Sequence, residues 1–396
     1  MKALIALFMV LFIAFLVFEA FAADVNISGF ICTLGDPANL SNKDLSGMNL
    51  SGVHLNQSDL QESTLNNSNL NGSYLRSAWL INSHLNGARL VHADLNGAVL
   101  SGANLEGADL TDANLKYAQL SKAKLKGAIL EKADLSNADM SDTDLTDAEL
   151  TGARLFRTDL SSANLKGIYL ISANLFGAHL NWANLSKSYL SRGQFTRAEL
   201  FGTNLSGSDL SDADFTRGYL MFANMTGAKL NFASLSYADM TEATLIDAVM
   251  KSAKLSYADL TRANLSGADL SDADLSGVRL SGSVMQNAKL NRVILSEIDL
   301  RNVNLIGASF KRSHLIKTIL TGANMTGADM SNAILDQTEM TDADLSDANL
   351  QHVTYDQFTL YSLAKAKLDG VKMSDNLKAD LQALTKTFCG DDNSTR

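Results

Sequence analysis

Every fifth residue from Leu40 to Leu350 is apolar, and the pattern never changes phase. It comprises 63 consecutive positions, of which 52 are Leu and the others are Met or Phe. The residue two places before each of them, here called the small position, is mostly small, as in Ala103-Asn104-Leu105. Because an internal repeat of fixed length is typical of solenoid proteins, this period decides the fold class.

A five-residue period fits neither a helix nor a straight strand. Five residues advance about 500° around an α-helix, so successive leucines would point in all directions. On a strand, an odd period places alternate leucines on opposite faces. All of them can face one interior only if the chain turns once in every five residues. Each unit is therefore predicted to be a very short strand followed by a corner.

The number of sides in one coil can be read from the residue that precedes each apolar position. Sorted by a period of 20, one column contains eight asparagines, and each of the other three contains three or fewer. The eight are Asn104, Asn164, Asn184, Asn204, Asn224, Asn264, Asn304 and Asn324. Four distinguishable sides of five residues explain this bias, whereas a three-sided coil does not.

Units such as Ala108-Asp109-Leu110-Thr111-Asp112 and Ala263-Asn264-Leu265-Ser266-Gly267 resemble the A-(D/N)-L-x-x consensus of pentapeptide-repeat proteins. The resemblance covers about residues 36 to 350. It implies an all-β solenoid, a right-handed four-sided parallel β-helix of about 15 to 16 coils, with Leu and the small residue inside. Stacked coils of this kind need caps at both ends.

Four segments follow from this interpretation. Residues 1–22 are expected to be a signal peptide, 23–37 an N-terminal cap, 38–350 the β-helix and 351–396 a partly helical C-terminal cap. Ser374 is suited to begin a helix that ends at Gly390 and places its apolar residues on one side, namely Leu377, Leu381, Leu384 and Phe388. Covering the last coil and forming a homodimer are both open roles for this helix, since some pentapeptide-repeat proteins pair through their C-terminal ends.

The first residues predict export to the periplasm or the cell exterior. Lys2 precedes an apolar run from Ala3 to Phe18, and Ala20-Phe21-Ala22 has the pattern that signal peptidase accepts. The run is shorter than the roughly 20 residues of a transmembrane helix. An uncleaved anchor is the alternative interpretation.

Composition narrows the function classes. A net charge of −10 argues against a broad nucleic-acid-binding surface. The two cysteines, Cys32 and Cys389, lie in opposite caps, too far apart along a straight rod to pair, so we expect free thiols or an intermolecular bridge. The six histidines do not stack on adjacent coils. We therefore expect no catalytic group, no cofactor and no metal site, and predict that the protein is not an enzyme.

Acidic residues are concentrated in one part of the repeat. Residues 131–150 contain seven carboxylates against a single Lys132. They are Glu131, Asp134, Asp139, Asp142, Asp144, Asp147 and Glu149. They form either a solvated face that discourages sheet-edge association or a docking surface for a basic partner. Cation bridging or glycosidase-like catalysis is a weaker alternative, because a convex face offers no cleft.

Aromatic residues occupy outward positions where Ser, Thr, Asp or Gly usually stand. The group most suited to bind a partner is His179, Trp182, Phe201, Tyr219, Met221 and Phe222, with Asn181 and Glu199 among them. Lateral stacking that stiffens the rod is one explanation. Docking of a protein or a glycan is the other, because Trp, Tyr and Arg dominate binding hot spots.

The sequence thus favours a non-enzymatic, exported rod that serves as a scaffold for an unknown protein partner. Cytoplasmic pentapeptide-repeat proteins include dimeric DNA mimics that bind topoisomerases, and the acidic rod would suit that role, although an export signal argues against it. An envelope-glycan binder is a third hypothesis, which the lack of long loops disfavours.

Overall fold

The computed structural model describes the backbone of residues 37–390 and the side chains of residues 37–384. The predicted signal peptide, Cys32 and almost all of the predicted N-terminal cap lie outside the described residues. So do the side chains of Phe388 and Cys389.

Each coil contains 20 residues. With one exception, described below, the residue before each apolar position from 39 to 329 forms a parallel bridge with the residue 20 places later, from Asn39 with Asp59 to Asp329 with Asn349. The Leu105 amide donates to the Lys124 carbonyl at 2.7 Å, and the Lys124 amide donates to the Ala103 carbonyl at 2.9 Å. A chain that turns every five residues and pairs with itself every 20 has four sides per coil.

The interior is made of leucine and alanine columns. Ala103 and Leu105 are fully buried, as are the equivalent residues of most other coils. Burying a leucine side chain contributes about 1.5–3 kcal/mol. The described residues form one continuous core cluster, so this contribution is repeated once per side and acts with the backbone ladder to hold the stack together.

The corners explain the polar part of the repeat. The Asp109 carboxylate accepts the Thr111 amide at 3.1 Å and the Thr111 hydroxyl at 2.7 Å. Such bonds allow Asp or Asn before the leucine to hold a Ser or Thr after it. The next residue, here called the second corner position, has a left-handed backbone, as in Asp112 with a φ of 55°. Glycine, Asn and Asp are favoured there because the Cβ atom of other residues makes that conformation costly.

Near the C-terminus the coil pairing continues beyond residue 350. Strand β1 (Ile334–Leu335) pairs with β3 (Thr354–Tyr355), and β2 (Asn349–Leu350) pairs with β4 (Lys372–Met373), both in parallel. Helix α1 (Gln357–Leu363) lies between β3 and β4, and α2 (Asp375–Gly390) follows. Because α1 interrupts a corner, Asn349 pairs with Lys372, 23 residues later.

Helix α1 is tied to the last coils by its hydroxyl groups. Asp356 caps the helix by accepting the Thr359 amide at 2.9 Å. The Thr359 hydroxyl donates to the Leu335 carbonyl at 2.8 Å and accepts the Thr338 amide at 2.9 Å. The Ser362 hydroxyl accepts the Met340 amide. Backbone groups that would otherwise end the ladder unpaired are thereby satisfied.

Helix α2 follows Ser374 and buries Leu377, Leu381 and Leu384. The Tyr355 hydroxyl reaches α2 and donates to the Asp380 carboxylate at 2.7 Å. Burial and the bond to Asp380 raise the pKa of Tyr355 to about 12.

We expect the contact between Tyr355 and Asp380 to fail in strong alkali. A raised pKa means that the folded protein favours the neutral phenol, so its contribution to stability is complete below about pH 10 and is lost as the pH rises towards about 12. Absorbance titration should show a late phenolate step that Tyr355→Phe removes. Tyr117→Phe, at an exposed corner, is the control; an unchanged late step in Tyr355→Phe would contradict the assignment.

The hydrogen-bond ladder is interrupted once in the later coils. Asp274 still bridges to Ile294, but Arg279 forms no bridge with Asp299. Within the described residues, four consecutive ladder amides donate no backbone hydrogen bond, whereas their counterparts one coil earlier donate at 2.8 to 2.9 Å. The four are Leu275, Gly277, Leu280 and Gly282, and the counterparts are Leu255, Tyr257, Leu260 and Arg262. We call this interruption the seam.

Two bulky side chains at small positions account for the seam. Val278 and Ile298 are both buried and stand one above the other, 20 residues apart. Ala258, one coil earlier in this column, is the more usual residue. Since interiors are close-packed, two stacked aliphatic side chains of this size separate coils that an alanine pair would allow to close. In the next coil Ile298 stacks on the smaller Thr318, and the ladder is intact there, with the Ile319 amide donating to the Ile298 carbonyl at 2.9 Å. At the far end of the seam the Ser283 hydroxyl is buried without a hydrogen-bond partner among the described residues.

Candidate partner-binding surface

Three aromatic side chains form a cluster on one corner of the coil stack. The Trp182 and Phe201 ring centroids lie 5.2 Å apart at an interplanar angle of 75°, and those of Phe201 and Phe222 lie 5.2 Å apart at 63°. Edge-to-face contacts of this kind are favourable. Trp182 is 63% exposed and Phe222 is 45% exposed, so the aromatic cluster (Trp182, Phe201 and Phe222) is held together yet open to solvent.

Two members of the aromatic cluster occupy a backbone conformation that suits them poorly. Trp182 and Phe222 stand at second corner positions, with φ of 62° and 59°. The left-handed conformation costs about 1–2 kcal/mol for a residue with a Cβ atom. The same conformation recurs at every second corner position from 42 to 352, so Trp182 and Phe222 are distinguished by the size and exposure of their side chains rather than by their backbone.

The indole of Trp182 packs on the backbone of Gly202 in the next coil. Gly202 occupies the second corner position between Trp182 and Phe222, with a φ of 64°. A Cβ atom added to Gly202 would come within 2.5 Å of Trp182 Cε3. Only glycine therefore lets the indole lie directly on the backbone of the next coil.

Backbone and amide bonds fix the positions of these side chains. The Phe201 amide donates to Asn181 Oδ1 at 3.0 Å, and the Trp182 amide donates to the Phe201 carbonyl at 2.9 Å. The ladder continues with the Gly202 amide donating to the Met221 carbonyl at 3.0 Å. The surface is thus preorganised, which reduces the entropy lost when a partner binds.

A polar row borders the aromatic cluster. The His179 Nδ1 atom lies 3.0 Å from the Glu199 Oε2 atom, and the Asn181 side-chain amide donates to the same oxygen at 3.1 Å. The hydrogen bond from His179 and the one from Asn181 hold the pKa of Glu199 below its usual value. Tyr219 is the next residue of this row and is exposed, and Met221 is half-buried beside Phe222. All six residues selected from the sequence for partner binding lie on one side and its corner.

The family model described as "Pentapeptide repeats (8 copies)" matches almost every residue of the coil stack. Its matches run without a gap of more than one residue from 38 to 354. The ranges are 38–76, 78–116, 118–155, 153–192, 178–217, 194–231, 223–262, 258–296, 294–332 and 323–354. The chain belongs to the pentapeptide-repeat family. The family implies a right-handed quadrilateral β-helix and supports a non-catalytic repeat scaffold.

Solved structures of this family are similar to the chain. HetL from the cyanobacterium Nostoc sp. strain PCC 7120, a pentapeptide-repeat protein involved in heterocyst differentiation regulation, is 32% identical over 63% of this chain and 89% of its own, with a TM-score of 0.24. QnrB1, a plasmid-mediated fluoroquinolone resistance protein, is 16% identical over 47% of this chain and 96% of its own, with a TM-score of 0.32. A pentapeptide-repeat protein of the Arabidopsis thaliana thylakoid lumen is 25% identical over 45% of this chain and 90% of its own, with a TM-score of 0.13. No curated protein matches the chain.

The seven acidic residues of 131–150 do not converge in this pentapeptide-repeat protein. Because 20 residues make one complete coil, these carboxylates are distributed over all four sides. Asp134 lies 3.2 Å from Lys116 Nζ and 3.5 Å from Arg154 Nη1. Asp139 and Asp144 accept hydrogen bonds within their own corners, from Ser141 and Thr146. The structure thus places the acidic residues as a belt around one coil rather than as a single face.

Other aromatic residues of the repeat stack face to face along the coil axis. The ring centroids are 5.6 Å apart in Phe156 and Phe176, 4.6 Å in Tyr169 and Tyr189, and 5.1 Å in Tyr237 and Tyr257. Stiffening of the rod explains these parallel pairs. The aromatic cluster also links three coils, but its rings meet edge to face and leave Trp182 63% exposed.

Other kinds of site find no support in the part of the chain that the structure describes. Between residues 37 and 384 no group of three His, Cys, Asp or Glu side chains could hold a metal ion. No helix of the described residues is long and apolar enough to cross a membrane.

Proposed function

We propose that this pentapeptide-repeat protein is an exported, non-enzymatic scaffold that captures a protein partner on its aromatic cluster. The observation that carries the proposal is that Trp182 and Phe222 are exposed in strained corner conformations, held by Phe201 between them. A chain selected only for stability and solubility would favour Gly, Asn or Asp at these corners, and these three residues occupy 35 of the 63 second corner positions from 42 to 352. Export is supported by Lys2 and the apolar run that follows it.

The physical properties of the aromatic cluster suit protein recognition. Tryptophan and phenylalanine present large apolar areas that lose little conformational entropy on binding, particularly where neighbouring groups already fix their positions. The surrounding polar atoms of His179, Asn181 and Glu199 are already paired with one another, so a partner would not need to break bonds to water at each of them. The arrangement is an apolar centre with a satisfied polar rim.

Replacing both Trp182 and Phe222 by glycine should abolish partner capture and leave the fold intact. Glycine relieves the strain of the left-handed corner, which compensates for the lost ring contacts. Loss of two hot-spot side chains is expected to weaken binding by at least about 100-fold. The measurement is cross-linking mass spectrometry on the full-length protein in its native compartment, followed by the Kd of each purified partner.

Phe232→Gly is the matched control, because Phe232 is also a second corner residue, with a φ of 61° and 61% exposure, and lies outside the aromatic cluster. A partner that Phe232→Gly retains and Trp182→Gly/Phe222→Gly loses supports the proposal. Equal capture by all three proteins rejects it. Export is tested separately, by N-terminal sequencing of the fractionated protein, where an intact Met1 in the cytosol would contradict it.

A further inference from the structure

Two arginines stand at the opposite edge of the side that carries the aromatic cluster. In one coil the side runs from Arg197 through Glu199 to Phe201, and in the next from Arg217 through Tyr219 to Phe222. Arg197 and Arg217 are both exposed second corner residues, with φ of 58° each. Because neighbouring coils are about 4.8 Å apart, the two side chains leave the backbone almost side by side.

These arginines have no carboxylate partner among the described residues. Six of the ten other arginines between residues 37 and 384 form an ion pair with a carboxylate on an adjacent coil or in their own corner, namely Arg76, Arg154, Arg262, Arg279, Arg292 and Arg301. By contrast, Arg197 and Arg217 form no ion pair. The Arg217 guanidinium lies 5.6 Å from the centre of the Tyr237 ring, a cation–π contact that limits its motion and leaves its charge available.

The single carboxylate within these stretches of the side is already engaged. Among residues 177–182, 197–202 and 217–222 the only acidic residue is Glu199, and it is bonded to His179 and Asn181. The side therefore presents two arginines without an acidic partner at one edge and an apolar cluster at the other, on a protein whose net charge is −10.

We propose that the partner contacts this surface with a polypeptide segment that carries carboxylates next to apolar side chains. This inference rests on the proposed function and adds the chemistry of the partner. Apolar side chains pack on the aromatic cluster, and carboxylates bind the guanidinium groups of Arg197 and Arg217, which match carboxylate geometry in a bidentate manner. Trp and Arg on one surface are the residues most enriched among binding hot spots.

The width of the side sets the spacing within that segment. Arg197 and Phe201 are four residues apart and both lie at corners, so the width between them is at most about 13 Å at about 3.3 Å per residue. An extended partner segment that crosses the side covers the same distance in about four residues. Its carboxylates should therefore lie three to five residues from its apolar anchors.

An array of synthetic 12-residue peptides tests the inference on the full-length protein. Each peptide carries a Trp-Leu anchor and an Asp-Asp pair one to seven residues away, and each has an otherwise identical Asn-Asn counterpart. We expect wild type to bind the Asp-Asp peptides with three- to five-residue spacing about tenfold more tightly than their Asn-Asn counterparts. Arg197→Asn/Arg217→Asn should remove that preference and retain binding of the Asn-Asn peptides.

Arg312→Asn is the matched control, because Arg312 is also an exposed second corner residue without an ion pair among the described residues, and it lies elsewhere on the stack. Asparagine tolerates the left-handed corner, so all of these variants should fold. A tenfold preference in Arg312→Asn that is lost in Arg197→Asn/Arg217→Asn supports the inference.

The remaining outcomes separate the two proposals. If Trp182→Gly/Phe222→Gly abolishes peptide binding but wild type shows no preference for Asp-Asp over Asn-Asn peptides, the inference is overturned and the proposed function stands. The same conclusion follows from a preference that survives Arg197→Asn/Arg217→Asn. Two outcomes overturn both the proposed function and the inference. One is binding of a uronic-acid oligosaccharide through the arginines without any peptide binding. The other is peptide binding that Trp182→Gly/Phe222→Gly leaves unchanged.

Discussion

Replacing Val278 and Ile298 together by alanine is expected to close the seam and to slow amide exchange across it by about 100-fold or more. The amides of Leu275, Gly277 and Leu280, which lack backbone acceptors, should then pair with the next coil as their counterparts do in the preceding one. Leu275 and Leu280 are buried, and a buried, unpaired backbone group costs about 1–3 kcal/mol, so pairing these two amides raises the free energy of local opening by an amount of this order.

The direction of this effect is opposite to that of most substitutions in a protein core. Truncating a buried Val or Ile usually destabilises a protein because a cavity remains. Here the space can be removed, because the two coils are separated by the side chains themselves and alanine is the usual residue at this position. The gain in hydrogen bonds and the collapse of the gap should outweigh the lost methyl groups.

Hydrogen exchange followed by mass spectrometry is the measurement. In wild type, peptides that cover residues 275–282 should exchange much faster than those that cover 255–262, and the double variant should equalise them. Ile168→Ala is the control, because Ile168 is a single β-branched residue at a small position with an intact ladder around it. Ile168→Ala should lower the free energy of unfolding and should not slow amide exchange around residue 168. Equal exchange of the two segments in wild type would show that the seam does not exist in solution.

The seam also has a consequence for the whole stack. In a solenoid each coil contacts only its neighbours, so stability is approximately a sum of nearest-neighbour terms. One weak interface then divides the coils into a long stack that ends near residue 282 and a shorter one that includes α1 and α2. We expect the two stacks to unfold in separate steps, and the alanine double variant to join them into one.

The five-residue period was sufficient to predict the coil and its interior. Leu105 and Ala103 face inward for the reason the sequence indicates: a leucine and the residue two places before it must share one side of a strand. The period also contains the cause of the seam, since Val278 and Ile298 are 20 residues apart at small positions. Recognising it requires knowing that a stack of alanine-sized side chains sets the distance between coils.

Other features depend on geometry that the period does not contain. The left-handed conformation of the second corner position is invisible in a consensus that allows any residue there, so the strain at Trp182 became evident only from its φ. The acidic residues from Glu131 to Glu149 are close in sequence, yet one coil carries them around four sides. Helix α1 enters at a corner after Tyr355, where the apolar period simply fades.

Replacing Thr359 by valine is expected to weaken the C-terminal end of the stack by about 2–4 kcal/mol. Valine has nearly the same shape but no hydroxyl, so the Leu335 carbonyl loses its donor at 2.8 Å and the Thr338 amide loses its acceptor at 2.9 Å. Thr359 is fully buried, and water cannot replace either bond without opening the contact between α1 and the coils. Because end coils depend on their cap, unfolding should begin there.

Thermal unfolding combined with hydrogen exchange of residues 330–345 measures this effect. The control is Thr354→Val, which makes the same chemical change at an exposed side chain of β3, one coil away from Ile334. We expect Thr354→Val to match wild type and Thr359→Val to lower the first unfolding midpoint and to expose the last coils to exchange. If both variants unfold like wild type, the hydroxyl of Thr359 does not hold α1 on the stack, and the buried leucines Leu363 and Leu377 must do so alone.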